Sequence, residues 1–127
     1  MRTSMAIASA LLIVSLALGL WCAQASDEIS ARYVSAAAEI RTLAQAGSWQ
    51  RAEETAQAYL ESWRETAAWL HVILNHEETE ALTLALRRAK ASVSERDGAG
   101  CVQACVELEE EAVRIGDLNR LSWNSVW

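Results

Sequence analysis

The chain has 127 residues, with 17 acidic and 11 basic side chains and a formal net charge of −6. That length predicts a single domain. A surface this acidic repels phosphate backbones, which excludes nucleic acid as a partner, and it disfavours flat docking on anionic lipid.

The chain opens on a short, weakly basic Met1-Arg2-Thr3, followed by an apolar run from Met5 to Ala23 interrupted only by Ser9, Ser15 and Gly19. Ala23-Gln24-Ala25 then places small residues at alternate positions before Ser26-Asp27-Glu28. This order fits a secretory signal peptide cleaved after Ala25. It fits an uncleaved anchor equally well, since the run approaches the roughly 20 residues that span hydrocarbon. Arg2 before the run and acids after it put the N-terminus inside and the remainder outside. Residues 1–25 are therefore read as signal or anchor, and 26–127 as an extracytoplasmic domain, membrane-anchored or secreted. From Ser26 onward the chain keeps all 17 acids but only 10 of the bases. Cys22 follows Trp21 rather than a small residue, so it reads as part of the export segment and not as a lipidation site.

The rest predicts an all-α fold. There is no proline, there are only five glycines, and alanine, leucine, glutamate and arginine dominate. A first helix is expected from about Asp27 to Ala46, with Ile29, Tyr33, Ala36, Ile40 and Leu43 on one face. Gly47 ends it and Ser48 is placed to cap the next. The second helix aligns Trp49, Ala52, Ala56, Leu60, Trp63, Ala67 and Leu70 at steps of three or four residues and should run on through Leu74. Trp49 and Trp63 are structural on this reading. Trp69 lies to one side of the stripe and becomes an interaction candidate.

Asn75 is expected to cap a third helix, with Glu78 completing a capping box. Acids at 77, 78 and 80 suit its N-terminus, with Arg87, Arg88 and Lys90 further along. Leu82, Ala85, Leu86, Ala89 and Val93 form its buried face. After the turn Asp97-Gly98-Ala99-Gly100, a fourth helix aligns Cys101, Cys105, Leu108, Ala112 and Ile115, and Gly116-Asp117 is expected to end it. The tail from Leu118 carries Trp123 and Trp127, both interaction candidates, and should pack back on the bundle or touch a partner. Gly47-Ser48-Trp49-x-x-Ala52 echoes Ala99-Gly100-Cys101-x-x-Ala104, which suggests two helical hairpins with tetratricopeptide-like packing as one option. The expected architecture is a signal or anchor helix followed by a four-helix bundle.

Taken in order, the apolar N-terminus, Gly47-Ser48-Trp49-x-x-Ala52, Trp63, His76-Glu77-Glu78, Arg87-Arg88-x-Lys90, Glu95-Arg96-Asp97 and Leu118-x-x-Leu121-x-x-Asn124 resemble the bacterial DUF4363 family across nearly the whole chain. The resemblance implies a short, membrane-anchored or exported helical protein, with no activity attached. This chain is rich in alanine and arginine where that family favours lysine and isoleucine.

Chemistry-bearing motifs are sparse. His76-Glu77 begins like a zinc-protease helix, but Glu80 stands where the second histidine is needed. A di-iron site needs Glu-x-x-His, and positions 68 and 73 are alanine and isoleucine. His76 with Glu80, joined by His71, remains a weak metal candidate. No phosphate loop or nucleophile elbow occurs, so no enzyme and no cofactor are expected. Cys101 and Cys105, four apart on one helix, read as small apolar residues of the buried face. The expected function is a non-catalytic accessory subunit that binds another membrane protein. The alternative is an extracytoplasmic metal- or pH-responsive sensor built on His71, His76, Cys101 and Cys105, with His76 charging near pH 6 to 7.

Overall fold

A computed structural model describes the backbone of residues 2–70 and 76–126 and the side chains of 2–70 and 76–117. The described residues form four helices and no strand: α1 (Arg2–Gln45), α2 (Trp49–Leu70), α3 (His76–Ser94) and α4 (Gly98–Val126). α1 packs on α2 and α4, and α3 packs on the same two. The helices therefore close into a ring. Stacked tetratricopeptide-like hairpins would instead bring α1 against α3. The expected cap Asn75, His71 and the run of the second helix to Leu74 lie outside the described residues.

Two tight turns set this up. At the first, the Ser48 amide donates to the Leu43 carbonyl at 2.9 Å and the Gly47 amide to Ala44 at 3.0 Å. That bond pair defines a left-handed C-terminal cap, and Gly47 takes it with φ of 77°. Ser48 then occupies the N-cap position, its carbonyl accepting from the Ala52 amide at 2.9 Å. The same pair of bonds recurs from Asp97 to Ser92 and from Arg96 to Val93, both at 3.0 Å. Here Arg96 adopts φ of 55° without being glycine. Asp97 starts α4, its Oδ1 accepting from the Gly100 amide at 3.0 Å. A Cβ at Gly100 would meet the Asp97 carboxylate where it now lies, so the carboxylate would have to shift.

The expected apolar faces are the buried ones in all four helices, with Leu43 and Trp49 packed partly buried at the core's edge. Trp63 has no exposed surface. Its indole N–H donates to Thr83 Oγ1 at 2.8 Å, and that hydroxyl donates to the Thr79 carbonyl at 2.8 Å. The Tyr33 ring meets Trp63 edge-on at 5.3 Å. Tyr59 lies beside Tyr33 and donates to Glu39 at 2.8 Å. One aromatic group thus ties α1, α2 and α3 together.

Two boundaries differ from expectation. α1 does not begin at the domain edge. It is one 44-residue helix that carries the apolar run straight into the bundle, a length of about 66 Å. Its first buried side chain is Ser26, and most residues before Leu20 are exposed. Nor does α4 stop at Gly116-Asp117; it continues to Val126. Gly116 is the point of close approach to α1, where a Cβ would lie 3.2 Å from Ser30. A helix-breaking cost of about 1 kcal/mol is small beside the packing this approach permits.

Trp63→Ala is expected to destabilise the fold by about 3–5 kcal/mol, and Thr83→Val by about 1–3 kcal/mol through the orphaned indole N–H. Denaturant unfolding measures both. Gly116→Val should cost about 1–3 kcal/mol by forcing α1 and α4 apart. An unchanged unfolding midpoint would contradict that close approach.

Candidate functional site

The bundle has two ends. The α1–α2 and α3–α4 turns lie at one. At the other, α1 emerges as a bare apolar helix, α2 finishes and α3 begins. At this emergence Trp21 of α1 meets Trp69 of α2, ring centroids 5.9 Å apart and planes tilted by 38°. Trp21 keeps 52% and Trp69 44% of their surface exposed. Beside them opens a cleft of about 290 Å³, lined by Trp21, Gln24, Glu28, Arg32, Thr66 and Trp69 among others. Tyr33, next to Arg32 in α1, is fully buried, close to Ser62 and Thr66 of α2. Burial raises that phenol's pKa, and neighbouring Ser62, Arg32 and Thr66 offset part of the rise.

The other candidates from the sequence are dispersed. Cys101 and Cys105 lie buried in α4 at the turn end, their sulfurs 4.0 Å apart and not bonded as a disulfide. Burial first, and then Cys101, pushes the Cys105 thiol up to about 12. A thiol held protonated in this way is a poor nucleophile and a poor metal ligand. His76 starts α3 at the opposite end, with Nε2 3.6 Å from Glu80 Oε1 and both side chains largely exposed. From His76 to Ser94, beside the cysteines' turn, α3 climbs about 27 Å. His76 therefore does not share a site with the two cysteines. Among the described residues no three His, Cys, Asp or Glu side chains gather to hold a metal ion. Glu78 is half-buried in the first turn of α3. The backbone at Trp123 continues α4, while Trp127 lies outside the described residues.

One surface escaped the sequence reading. On the outer face of α4, Val102, Val106 and Val113 are exposed by 36, 40 and 44%. Their spacing of four and seven residues lines them up along the helix. Glu109 and Glu110 lie between Val106 and Val113, and the four side chains border a shallow groove. The signal was present in the sequence as a second apolar stripe on a helix that already had one. The stronger cysteine–leucine–isoleucine stripe masked it.

A family model described as "Domain of unknown function (DUF4363)" matches residues 20–126. No curated protein and no solved structure matches the chain.

The buried Cys105 thiol generates a pH dependence. Cys105 titrates near 9.0 when unburied and at about 12 in the fold. Because the folded pKa is the higher, the stabilisation is complete below pH 9 and is lost as pH rises toward 12. The unfolding midpoint should fall across that window, less steeply in Cys105→Ala. A thiol reagent at pH 8 should leave Cys101 and Cys105 unmodified until denaturant is added.

Proposed function

The chain belongs to the DUF4363 family, a domain of unknown function, and from that premise we propose that it is a membrane-tethered, non-catalytic binding module. α1 is its retained anchor. Within α1 an 18-residue window has a mean hydropathy of 2.3, with none of it buried in the bundle. Cleavage after Ala25 would sever a continuous helix and strip Trp21 from Trp69. The family match also starts ahead of that point, at residue 20. Arg2 on one side of the span and Asp27 and Glu28 on the other favour an extracytoplasmic bundle.

The observation that carries the binding role is the valine stripe on α4. Isolated exposed apolar residues are ordinary on a soluble surface. Three aligned along one exposed helix face, with carboxylates between them, make a seam that accepts another helix. The partner that fits is an apolar helix face with basic flanks, presented outside the membrane by a membrane protein. The valines keep 36–44% of their surface, so covering the remainder would contribute on the order of 0.5–1.3 kcal/mol each. That is enough for a contact between proteins already confined to one membrane.

A photoreactive side chain at Val106, introduced into the full chain in its native cells, tests this. The expected result is one dominant crosslinked membrane protein, lost on Val113→Asp with the melting temperature unchanged. The same group on the opposite side of the bundle, at exposed Arg51, should capture little. Equal capture at both positions, or none at Val106, would overturn the assignment.

A further inference from the structure

We infer that the end of the bundle bearing Trp21 and Trp69 is seated in the headgroup layer of the bilayer. The module then stands upright at a fixed height instead of swinging on a tether. This rests on α1 being a retained membrane span.

The level is set by counting along α1. The apolar run closes at Ala23, and each further residue rises about 1.5 Å. Trp21 therefore stands about 3 Å inside the hydrocarbon boundary when the run is buried. Gln24 stands about 1.5 Å above Ala23, at the inner edge of a headgroup layer about 5–7 Å thick. Arg32 stands about 14 Å above Ala23, in water. Trp69 shares Trp21's level because the two rings are in contact. Tryptophan prefers this layer, where the ring is half in hydrocarbon and the indole N–H meets polar groups. Both rings are half covered by each other and by the bundle, and half open to their surroundings.

Two helices thus reach the boundary side by side, and α4 descends toward it. α4 runs antiparallel to α1, with Gly116 opposite Ser30 and near Asp27. Ten residues on, the α4 backbone at Val126 has travelled about 15 Å toward the membrane, which brings it level with the start of the bundle. α1 has no glycine or proline between Leu20 and Gln45 and is helical throughout, so it offers no hinge at the boundary. Charge excludes the other posture. From Ser26 onward 17 acids face 10 bases, so lying flat would press carboxylates against lipid phosphates. His76, Glu77, Glu78 and Glu80 open α3 at this same end, which keeps the seat shallow.

The test uses the full chain in vesicles of phosphatidylcholine brominated near the carbonyl end of its acyl chains. Tryptophan emission is compared for the native chain, Trp21→Phe and Trp69→Phe, with helicity checked in each. The expected result is partial quenching of the native chain and a loss of quenchable emission in each variant. If Trp21→Phe removes quenchable emission and Trp69→Phe does not, α1 spans the membrane but the bundle stands clear of it, and the seat is overturned. If no emission is quenched and alkaline carbonate releases the protein from the vesicles, the span itself fails and the seat fails with it.

Discussion

The fold depends on one large side chain being filled around by small ones. Trp63 is completely buried in a core built largely of alanine, with Ala36, Ala37, Ala52, Ala56, Ala85, Ala89 and Ala112 all nearly inaccessible. Alanine lets helices approach closely but covers little apolar area by itself. The indole supplies that area where α1, α2 and α3 converge, and Tyr33 extends it edge-on. A buried indole also brings an N–H that must be satisfied. Thr83 accepts it and passes its own proton to the Thr79 carbonyl, which fixes the rotation of α3 against α2.

From this centre the ring of helices determines what lies at its two ends. The turn end is closed by left-handed caps and an Asp97 N-cap, and the thiols are sealed there. At the other end α1 leaves the bundle without changing conformation. α1 is one unbroken helix, largely exposed before Ser26 and buried along one side after it. The cleft beside Trp21 and Trp69 forms at that change.

The perturbed groups and the exposed apolar groups lie in different parts of the molecule. Burial shifts Cys105 and Tyr33 in the sense that keeps them neutral. The exposed apolar features are two tryptophans where α1 emerges and three valines along α4. On the proposed function the first would touch lipid and the second a protein.

Much of the architecture was legible from residue spacing alone. Steps of three and four residues in Ile29–Ile40, Ala52–Leu70, Leu82–Val93 and Cys101–Ile115 named the buried faces, because a helix can bury only one stripe without a second partner. The turns at Gly47 and at Asp97–Gly100 were written in local chemistry. Two element boundaries were not. Gly116 reads as a stop in isolation, yet in the fold it is the gap through which α1 passes, and only the neighbouring helix tells the two apart. The start of the bundle was likewise hidden, since an export segment followed by an amphipathic helix gives no local reason to be continuous. Periodicity determined which faces are buried, because it is a property of one helix. Which helices neighbour one another, that Trp21 reaches Trp69, and that His76 lies far from the cysteines were decided by tertiary structure, because closure of the ring depends on all four helices at once.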